Sequence, residues 1–526
     1  MKTTAEIIIQ PQGKRLKTYG KKSLFVHLAE AGIPVQQACG GQGTCGKCRV
    51  QMTVPPAAPV SGLDTKFLSE EEIAAGLRLA CGITPRDGDI YELALPTHGP
   101  AVKPQLEKEV FPTDPWPGTE AFDGVMAIDF GTTTVSGHLL DPFTGRVVCS
   151  ADTGNRQDGF GADVVSRLAY ASHGGKAARR RLESLAMESL EEVSVALTRG
   201  NKKIRHIVAV MNTAMESLLL NWDPDGIGRS PVQPETDEAV HFQFQLTGRT
   251  SGLNDVWMHL PAIIGGFVGS DTVAALLAAG QLNCRPPYLL VDIGTNAEVA
   301  LVTDSGISAC STAAGPAFEG GGIRFGMRAV DGAVSRVVLE PDRLYSEVIG
   351  NEAAKGIAGS GLISLVGGLL RINALDRFGV ICPERLPRGR FGTGDHGRYI
   401  RLTREVSVSE DDIQQLILAK ASVRAGAEVL LMKAGVCPSD LSHVVLCGTF
   451  SNGLKTGDIL ATGLIPAVAP GKIIIRGSAA AEGACMMACS QEQFEKANML
   501  AAKTDHIRLS GDPDFNQIYQ HNIGFV

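Results

Sequence analysis

The pattern of apolar and polar positions separates a short N-terminal part of the chain from a long remainder. In the first part, brief apolar runs predict strands at Glu6-Ile-Ile-Ile-Gln, Arg49-Val-Gln-Met-Thr-Val and Asp89-Ile-Tyr-Glu-Leu-Ala-Leu. Ser23 can cap a short helix from Leu24 to Ala31, because its hydroxyl can accept a hydrogen bond from the first helical turn. These elements predict a small unit of strands around one helix.

Two polar motifs lie between these elements. The residues from Lys14 to Lys17 predict a basic turn after the first strand. Ser69 and Glu72 form a Ser-x-x-Glu capping box, which predicts a helix from Glu70 to about Leu77. That helix leads towards Cys81.

Residues 96–123 interrupt this pattern, because prolines recur and no apolar period is visible. The segment predicts a semi-extended linker. Two alternatives stay open: the linker lets the N-terminal part swing between positions, or it lies flat on the domain that follows. The prolines are Pro96, Pro100, Pro104, Pro112, Pro115 and Pro117.

Beyond the linker, the stretches with a helical pattern of apolar residues are longer. The stretch from Asp412 to Ala434, capped by Ser409, places its apolar residues largely on one face and predicts a core helix. The stretch from Arg179 to Leu197 predicts an amphipathic helix with a solvated face. The longest uncharged apolar run, Gly356 to Leu370, is glycine-rich and too short to span a bilayer. We therefore expect no membrane segment.

Composition and charge narrow the class of protein. Apolar residues make up 44% of the chain and charged residues 20%, which is an ordinary profile for a soluble globular protein. The net charge of −7 gives no reason to expect nucleic acid or an anionic membrane as a partner. The N-terminus lacks an apolar stretch of signal-peptide length, and the 12 cysteines do not have the spacing of a disulfide framework. We therefore expect a cytoplasmic protein.

Cysteines and glycines form the most specific motif of the N-terminal part. The stretch Cys39-Gly-Gly-Gln-Gly-Thr-Cys45-Gly-Lys-Cys48, followed by Cys81, has C-x5-C-x2-C…C spacing. This spacing is close to that of plant-type motifs, in which four thiolates hold a [2Fe–2S] cluster. Structural zinc sites instead use two short arms of paired ligands. We therefore predict that Cys39, Cys45, Cys48 and Cys81 hold a [2Fe–2S] cluster, with glycines that allow positive φ where the backbone approaches the sulfurs.

Two stretches of the remainder repeat one pattern: a buried apolar strand, then Asp-x-Gly-Thr followed by Thr or Asn, then a second strand. A Gly-Thr turn offers backbone N–H and hydroxyl donors to phosphate. An aspartate at the strand end is placed to hold Mg²⁺, directly or through water. The repeated turns contain Asp129, Gly131, Thr132 and Thr133 in the first copy, and Asp292, Gly294, Thr295 and Asn296 in the second.

The repeat resembles the actin, sugar-kinase and heat-shock-protein superfamily, in which two ribonuclease-H-like lobes hold ATP between facing phosphate turns. Asp271 resembles the catalytic base of the sugar kinases, and a helix N-cap role for the same side chain stays open. Gly448, Thr449 and Phe450 follow a late apolar strand and resemble the adenosine loop of the superfamily. The stretch from Gly356 to Gly361 would be a further glycine turn near the nucleotide.

The N-terminal order of strands, helix and cysteine loop resembles the β-grasp ferredoxins. The two resemblances together imply an α/β protein with a β-grasp ferredoxin domain followed by duplicated ribonuclease-H-like (actin-like) ATPase lobes. We expect a ferredoxin-like domain at residues 1–95, a linker at 96–123 and an ATPase domain at 124–526. The implied cofactors are a [2Fe–2S] cluster, ATP and Mg²⁺.

Three longer stretches narrow the resemblance: Asn212-Thr-Ala-Met, Leu260-Pro-Ala-Ile-Ile-Gly-Gly-Phe-Val-Gly and Ala314-Gly-Pro-Ala-Phe-Glu-Gly-Gly-Gly-Ile-Arg. Joined to the N-terminal cysteine motif, they resemble the reductive activators of corrinoid proteins in the methyltransferase and O-demethylase systems of anaerobes. The resemblance covers nearly the whole chain. It implies ATP-dependent one-electron reduction of an inactive Co(II) corrinoid on a partner protein to Co(I). Glu319, within the third stretch, is a weaker candidate for docking or structure.

The family resemblance also implies roles and partners. Asp129 and Asp292 would hold Mg–phosphate with the two turns, and Asp271 would orient or deprotonate the attacking water. A low-potential donor would supply the electron, and a homodimer is compatible with the resemblance. Larger members of the family carry an extra middle domain between the linker and the ATPase. Because the linker here runs straight into Asp129, we expect that domain to be missing.

Three alternatives stay open at this point. The first is an ATP-gated electron donor to another low-potential enzyme, such as a 2-hydroxyacyl-CoA dehydratase, whose activators bridge a dimer with a [4Fe–4S] cluster. The second is a small-molecule kinase with an appended ferredoxin. The third is a non-enzymatic sensor or filament protein of the actin class.

Overall fold

The computed structural model describes residues 5–10, 14–18, 21–31, 33, 35, 41, 43, 46, 48–53, 59–68, 70–86, 88–94, 106, 109–161, 163–199, 202–223, 226, 234–244, 256–294, 296–340, 343–394 and 397–525. Contacts between Cα atoms group the chain into two units, each with its own apolar core. The first comprises Met1–Gly99, Gly154–Ser189 and Leu218–Pro224. The second comprises Pro100–Thr153, Leu190–Ser217 and Asp225–Val526.

The first unit contains a five-stranded sheet. Its strands are β1 (Glu6–Gln10), β2 (Lys14–Lys17), β3 (Arg49–Met52), β4 (Leu77–Leu79) and β5 (Ile90–Ala94). They lie in the order β2-β1-β5-β3-β4, with β1 parallel to β5 and antiparallel to β2. The predicted strands are therefore present, and the mixed sheet agrees with the predicted ferredoxin fold. The predicted basic turn is wrong, because Lys14–Lys17 pairs with β1 as an edge strand.

Three short helices accompany this sheet. They are α1 (Leu24–Glu30), α2 (Gly62–Phe67) and α3 (Glu70–Ala74). Ser23 caps α1 as predicted, because its Oγ accepts a hydrogen bond from the backbone N–H of Val26. The helix predicted to reach Leu77 ends earlier, since Leu77 already pairs with Gln51 in the sheet. Ser69, the predicted cap of that helix, lies outside the described residues.

A buried carboxylate links α2 to the strand that precedes Cys81. Asp64 is fully buried, and its Oδ2 accepts hydrogen bonds from the backbone N–H and the hydroxyl of Ser61, both at 2.7 Å. Its Oδ1 accepts the backbone N–H of Leu79 at 2.7 Å. Ser61 in turn accepts the N–H of Asp64, so the pair forms a capping box. The carboxylate therefore fixes the segment that carries Cys81 to the helix beside it.

We expect Asp64→Ala to destabilise the ferredoxin-like fold by about 2–3 kcal/mol, because hydrogen bonds to a charged group are lost and the Leu79 N–H is left buried without a partner. Urea unfolding followed by visible absorbance measures the loss. Asp89→Ala is the matched control, since Asp89 is exposed and accepts a hydrogen bond from Tyr91 at 2.9 Å. Equal unfolding midpoints for the two variants would contradict the expectation.

The first unit also includes residues beyond the ferredoxin-like sheet. Arg181 donates a hydrogen bond from Nη2 to the Glu30 carbonyl at 2.7 Å. A Cβ atom placed on Gly159 would lie 3.0 Å from the Cβ of Ala29. Arg181 belongs to the long helix α4 (Val164–Thr198), which starts well before the predicted Arg179 and is interrupted at Gly175, where φ is 61°.

The second unit contains two six-stranded sheets. The first consists of β6 (Val125–Phe130), β7 (Thr134–Asp141), β8 (Arg146–Gly154), β9 (His206–Val210), β10 (Val240–Phe244) and β11 (Val256–Leu260). It is accompanied by α5 (Thr213–Leu219) and α6 (Ser270–Ala279). Its strand order is β10-β11-β9-β6-β7-β8.

The second sheet begins with β12 (Tyr288–Ile293), β13 (Ala297–Thr303) and β14 (Gly306–Thr312). Two three-stranded sheets follow: β15 (Ala333–Glu340), β16 (Arg343–Val348) and β17 (Gly356–Ile357), then β18 (Phe391–Gly394), β19 (Gly397–Arg401) and β20 (Ser407–Ser409). The second large sheet is completed by β21 (His443–Cys447), β22 (Ile473–Gly477) and β23 (Thr504–His506). The helices are α7 (Gly359–Arg371), α8 (Glu410–Ala434), α9 (Thr456–Thr462), α10 (Ala479–Cys489), α11 (Gln491–Ala502) and α12 (Pro513–His521).

The two large sheets share one topology. In each, three consecutive strands form an antiparallel meander, β6-β7-β8 in one and β12-β13-β14 in the other. In each, the first strand of the meander pairs in parallel with a later strand, β9 or β21. The prediction of duplicated ribonuclease-H-like lobes is therefore confirmed. Ser409 caps α8 with a capping box to Asp412, and this helix begins at Glu410, close to its predicted start.

The end of the predicted linker packs against the second unit. Trp116 is buried, donates a hydrogen bond from Nε1 to the Met487 carbonyl at 3.1 Å and stacks on His259 with ring centroids 4.0 Å apart. The backbone N–H of Asp114 donates to the Cys489 carbonyl at 3.0 Å. The packed alternative therefore holds for residues 109–123. Residues 96–108 lie outside the described part of the chain except for Leu106, and for them the linker stays a prediction.

The glycine-rich apolar run forms most of helix α7. Its residues from Gly359 to Leu369 are buried in the second unit. Across the ranges that the structure describes, no helix is both long and apolar enough to cross a membrane.

Candidate functional site

Two of the four predicted cluster ligands lie side by side in the first unit. Cys48 is buried, and its Sγ accepts a hydrogen bond from the backbone N–H of Cys81 at 3.4 Å. The backbone N–H of Ala80 donates to the Cys48 carbonyl at 2.7 Å, which fixes the two segments together. Cys39 and Cys45 lie outside the described residues. An N–H that points at a ligand sulfur suits a thiolate-held cluster, so the described residues fit the predicted group.

Two glycines of the cysteine loop are required by the backbone and by its neighbours. Gly43 and Gly46 have φ of 76° and 65°. A Cβ atom on Gly43 would lie 2.8 Å from Leu63 Cδ1, and one on Gly46 would lie 2.7 Å from Phe67 Cγ. Helix α2, which supplies both side chains, therefore presses directly on the loop. The positive φ at both glycines agrees with the predicted use of glycine, and the approach of the backbone to the sulfurs stays a prediction.

The two phosphate turns close in similar ways. The backbone N–H of Gly131 donates to the Thr134 carbonyl, and that of Gly294 to the Asn296 carbonyl, both at 2.9 Å. Each turn joins the first two strands of a meander, so each lies at the carboxyl end of the first strand. Thr295 lies outside the described residues. Thr132 Oγ1 accepts a hydrogen bond from Asn212 Nδ2 at 3.2 Å, which ties the first turn to the start of α5.

Three aspartates lie beside these turns. Asp129 is at the end of β6 next to Val210 of β9, and Asp292 is at the end of β12 next to Cys447 of β21. Asp271 lies in the first turn of α6, and its backbone N–H donates to the Met211 carbonyl just after β9 at 3.3 Å. The backbone N–H of Thr272 donates to Asp271 Oδ1 at 2.7 Å. The N-cap of α6 is Gly269, so the N-cap alternative for Asp271 is wrong.

The carboxyl groups interact with one another. Burial, followed by the negative charges of Asp271, Asp292 and Asp152, raises the pKa of Asp129 to about 8. Burial and the charge of Asp271 raise the pKa of Asp292 to about 7. Burial raises the pKa of Asp271 to about 6 despite its hydrogen bonds to Thr272. The structure therefore brings the three predicted aspartates into one electrostatic site.

Two glutamates belong to this site that the sequence reasoning did not select. Glu298 of β13 pairs in register with Asp292 and accepts a hydrogen bond from Ser311 Oγ at 3.0 Å. Burial, followed by the charges of Asp271 and Asp292, raises its pKa well above the usual range. Glu216 of α5 is fully buried beside the charge of Asp271. One signal was available for Glu298, because the first copy of the repeat has Val135 at the matching position.

The late loop closes against the second phosphate turn. A Cβ atom on Gly448 would lie 2.4 Å from the Ile293 carbonyl oxygen and 2.8 Å from Asp292 Oδ1. The Phe450 ring lies 5.0 Å from that of Phe318. Thr449 starts the same short turn, Thr449–Gly453. The predicted adenosine residues therefore lie next to the predicted phosphate residues, and Phe318 of the glycine-rich stretch joins them.

The predicted glycine turn at Gly356–Gly361 is instead the end of β17 and the first turn of helix α7. A Cβ atom on Gly359 would lie 1.9 Å from the Phe318 carbonyl oxygen and 2.8 Å from Phe450 Cε2. The helix therefore begins directly against the aromatic pair, which agrees with a place near the nucleotide.

Metal binding by carboxylates alone is not favoured by the geometry. Within the described ranges, no three His, Cys, Asp or Glu side chains lie close enough together to hold one metal ion. Mg²⁺ in nucleotide sites commonly uses one or two carboxylates together with phosphate oxygens and waters. The arrangement around Asp129 and Asp292 fits that second mode.

The clustered carboxyls predict a pH dependence of stability. Without Mg²⁺ and nucleotide, we expect the contribution of Asp129 to stability to be present below its unfolded pKa and to be lost as the pH rises towards about 8. The folded state binds the extra proton in this window, so the slope reaches about −1.4 kcal/mol per pH unit. Unfolding free energies of the protein and of Asp129→Asn between about pH 5 and pH 8 measure it. The variant should show the shallower fall with pH, and identical slopes would contradict the expectation.

Comparisons with known families agree with both parts of the chain. A model described as the C-terminal domain of RACo, the ASKHA domain, matches residues 287–526. A model of the RACo middle region matches residues 124–283. A model of the 2Fe-2S iron-sulfur cluster binding domain matches residues 7–86. Fold and site therefore define an iron–sulfur protein with an ASKHA-type ATPase domain.

Individual relatives narrow the class. The corrinoid activation enzyme RamQ of Eubacterium limosum is 30% identical over 418 residues, which cover 76% of this chain and 70% of that protein. The chain belongs to this family of corrinoid activation enzymes. The [Co(II) methylated amine-specific corrinoid protein] reductase of Methanosarcina barkeri is 27% identical over 293 residues, 51% of each protein.

One solved structure shows the same fold over the whole length. The reductive activator for corrinoid,iron-sulfur protein is 24% identical and aligns with 99% of this chain and 98% of that one, with a TM-score of 0.69. The predicted family, fold and enzyme class are confirmed. The middle-region model matches residues that include the first phosphate turn, so the expectation that an extra domain between the linker and the ATPase is missing stays a prediction.

Proposed function

We propose that this protein reduces an inactive Co(II) corrinoid on a partner protein to Co(I), in a one-electron step coupled to ATP hydrolysis. The observation that carries the proposal is the meeting of Asp129, Asp271 and Asp292 beside two equivalent Gly-Thr turns, in a chain that also has a 2Fe-2S domain. Relatives named as a corrinoid activation enzyme and a corrinoid protein reductase support the choice of partner.

The roles of the ATPase residues follow from their positions. Asp129 and Asp292 would hold Mg²⁺, while the turns Gly131–Thr133 and Gly294–Asn296 would donate hydrogen bonds to the phosphates. Gly448, Thr449 and Phe450 would flank the adenosine. Asp271 would accept the proton of the attacking water, since it lies in the first turn of α6 and its charge reaches both Asp129 and Asp292.

The ferredoxin-like domain would supply the electron route. A [2Fe–2S] cluster, when bound, supplies a one-electron carrier with a reduction potential of about −400 mV. Cys48 and Cys81 would hold it together with Cys39 and Cys45, and the Cys81 N–H would stabilise negative charge on the Cys48 sulfur. A low-potential donor would refill it, and we place the reaction in the reducing cytoplasm of an anaerobe.

Coupling to ATP addresses an energetic problem. Each 100 mV of uphill transfer costs about 2.3 kcal/mol for one electron. We propose that the ATP-bound ATPase domain binds the corrinoid partner best in the state that accepts the electron, and that hydrolysis releases the partner. Such coupling requires different affinities for the two states, and the difference bounds the shift that ATP can produce.

Product analysis tests the ATPase assignment. We expect release of inorganic phosphate from ATP, accelerated by the corrinoid protein. Transfer of the γ-phosphate to a small acceptor would instead favour a ferredoxin-fused kinase. An electron paramagnetic resonance signal with iron stoichiometry of a [4Fe–4S] cluster would favour the dehydratase-type activators.

A further inference from the structure

Three large apolar side chains are exposed on the loop after α7 and on the first half of α8. Phe378 is 56% exposed, Leu418 41% and Val380 38%. Single exposed apolar residues need no explanation, whereas contiguous groups of them mark interaction sites. We call the surface formed by these three residues the Phe378 face.

Hydrogen bonds hold the Phe378 face in one arrangement. Asp376 Oδ1 accepts the backbone N–H groups of Phe378 and Val380, both at 2.8 Å. Gln414 of α8 donates from Nε2 to the Phe378 carbonyl at 2.6 Å. Leu418 is one helical turn beyond Gln414, so it lies on the same side of α8. The apolar side chains are therefore presented by a fixed turn and a helix, and little ordering is needed before a partner binds.

Gly379 brings this turn directly against α8. Its φ is 84°, and a Cβ atom there would lie 2.9 Å from Ile417 Cδ1 and 3.0 Å from Ile413 Cγ2. The turn therefore lies on the helix itself, with the exposed Phe378 and Val380 on either side of the contact.

A cavity of about 380 Å³ opens beside the turn. Leu375, Arg377 and Phe525 are among the residues that line it. The backbone N–H of Phe525 donates to the Arg377 carbonyl at 2.7 Å, so the cavity wall is continuous with the turn. Side chains that fill pockets at the centre of a protein interface carry most of its binding energy. The cavity therefore offers a place for an apolar side chain of a partner.

The segment that carries this face is basic in an acidic protein. Residues 371–405 contain eight arginines, no lysine and four aspartate or glutamate residues, whereas the whole chain has a net charge of −7. Arg371 pairs with Asp458 at 2.7 Å, and Arg390 donates to three backbone carbonyls. The other six arginines are exposed: Arg377, Arg385, Arg388, Arg398, Arg401 and Arg404. Arginine is enriched at protein interfaces and lysine is depleted there.

Two of these arginines border the apolar side chains and the cavity. The guanidinium carbon of Arg377 lies 4.7 Å from the centre of the Phe378 ring. Arg385 is one short turn beyond Cys382, which lines the cavity, and its backbone N–H donates to the Cys382 carbonyl at 3.1 Å. The Phe378 face therefore has an apolar centre and a positive rim.

The neighbouring carboxylates do not cancel this charge. Asp376 is used by the turn, and Glu410 lies 3.8 Å from Arg398. The exposed Glu384 and Asp411 are fewer than the exposed arginines. A partner with an acidic border around an apolar centre therefore complements the Phe378 face.

This charge pattern disfavours a second copy of the chain as the occupant. A two-fold contact brings the same patch of both subunits together, so arginines would face arginines. Like charges across an interface oppose association. The proposed reduction requires instead a partner that binds and leaves, and obligate interfaces are larger and more hydrophobic than transient ones.

We propose that the Phe378 face binds the corrinoid protein, with Phe378, Val380 and Leu418 as the apolar centre and with acidic residues of the partner opposite Arg377 and Arg385. This inference rests on the proposed corrinoid reduction and names the surface that recognises its partner. Opposite charge steers the encounter, and the apolar contact slows dissociation. None of these residues is assigned to the cluster or to ATP.

Truncation of the central aromatic residue tests the apolar contact. In Phe378→Ala, KM for a purified Co(II) corrinoid protein in cobalt reduction should rise about tenfold or more, while kcat stays within about twofold. Phe143→Ala is the matched control. Phe143 is 54% exposed, and its N–H donates to Asp141 Oδ1 at 2.9 Å, as that of Phe378 does to Asp376. The control should leave KM within about twofold of the parent value.

Charge reversal tests the rim. In the double variant Arg377→Glu and Arg385→Glu, KM for the same corrinoid protein should rise about ten- to a hundredfold at low ionic strength, and added salt should reduce the difference from the parent. The control double variant is Arg285→Glu and Lys496→Glu, which changes the net charge equally at two exposed residues elsewhere. Its KM should stay within about threefold of the parent value.

The outcomes separate the proposal from its rivals. Unchanged KM in both Phe378→Ala and the rim variant would overturn it. An equal rise in the control double variant would assign the effect to net charge and would also overturn it. If the parent sediments as a dimer that Phe378→Ala dissociates with KM unchanged, the face is a contact between copies of this chain.

Folding and the parent activity are checked separately. Basal ATP hydrolysis without corrinoid protein and the thermal midpoint should not change in Phe378→Ala, because its side chain is exposed. Loss of both in Phe378→Ala, but not in Phe143→Ala, would assign Phe378 to structure and overturn the proposal. A parent protein that neither binds nor reduces the corrinoid protein would refute the proposed function, whereas normal reduction with unaffected variants refutes the inference alone.

Discussion

Asp292→Asn is expected to lower ATP hydrolysis by about a hundredfold or more, because preorganised charges at phosphoryl-transfer sites are worth this much. Asp292 lies at the end of β12, and its Oδ1 is held 2.8 Å from the position that a Cβ on Gly448 would occupy. The asparagine side chain has the same shape, so packing against the late loop is retained while the negative charge for Mg²⁺ is lost. Phosphate release in the presence of a corrinoid protein measures the effect.

The change should raise the unfolding free energy of the empty protein at neutral pH, since a carboxyl whose pKa is raised to about 7 no longer has to be accommodated. Lower activity with equal or higher stability therefore separates a lost Mg²⁺ ligand from a folding defect. Asp304→Asn is the control, since Asp304 is exposed in the turn after β13. Undiminished hydrolysis in Asp292→Asn would show that the phosphate site is assigned wrongly.

Cys48→Ser is expected to abolish corrinoid reduction and to leave ATP hydrolysis within about twofold of the parent value. Cys48 is buried directly before β3, and its sulfur accepts a hydrogen bond from the backbone N–H of Cys81, a second predicted ligand. Loss of one thiolate of four should remove the visible absorbance and the electron paramagnetic resonance signal of the reduced cluster. Cobalt reduction is followed by spectroscopy in the same sample.

Cys437→Ser is the matched control, because Cys437 is an exposed thiol far along the chain from the cysteine motif. It should keep both the cluster signal and cobalt reduction. Cobalt reduction that survives in Cys48→Ser with a chemical donor would mean that the electron does not pass through the ferredoxin-like domain.

The fold could be predicted where a pattern is local or repeated. The strands of the ferredoxin-like sheet follow short apolar runs, and the duplicated lobes follow the repeated Asp-x-Gly-Thr turn at Asp129 and Asp292. A repeat is informative because both copies must form the same meander to place a phosphate turn at the carboxyl end of its first strand. The basic stretch Lys14–Lys17 was wrongly predicted as a turn, because an edge strand tolerates charged side chains.

The carboxyl site could be predicted only in part. The three aspartates follow strands or begin a helix, so their positions carry a sequence signal. Glu216 and Glu298 lie inside a helix and a strand, where a glutamate is ordinarily a solvated residue. Their burial beside Asp271 comes from tertiary packing between elements distant in the chain. A local sequence pattern therefore does not predict it. Asp64 was missed for the same reason, since one of its partners, Leu79, is on another element.

The most direct measurement is the visible spectrum of a Co(II) corrinoid protein mixed with this protein and a low-potential reductant under anaerobic conditions. With Mg–ATP, we expect the Co(II) bands to be replaced by those of Co(I), and we expect little conversion without ATP or with Asp292→Asn. Conversion to Co(I) at the same rate and extent without ATP would contradict the proposal that ATP hydrolysis drives the reduction.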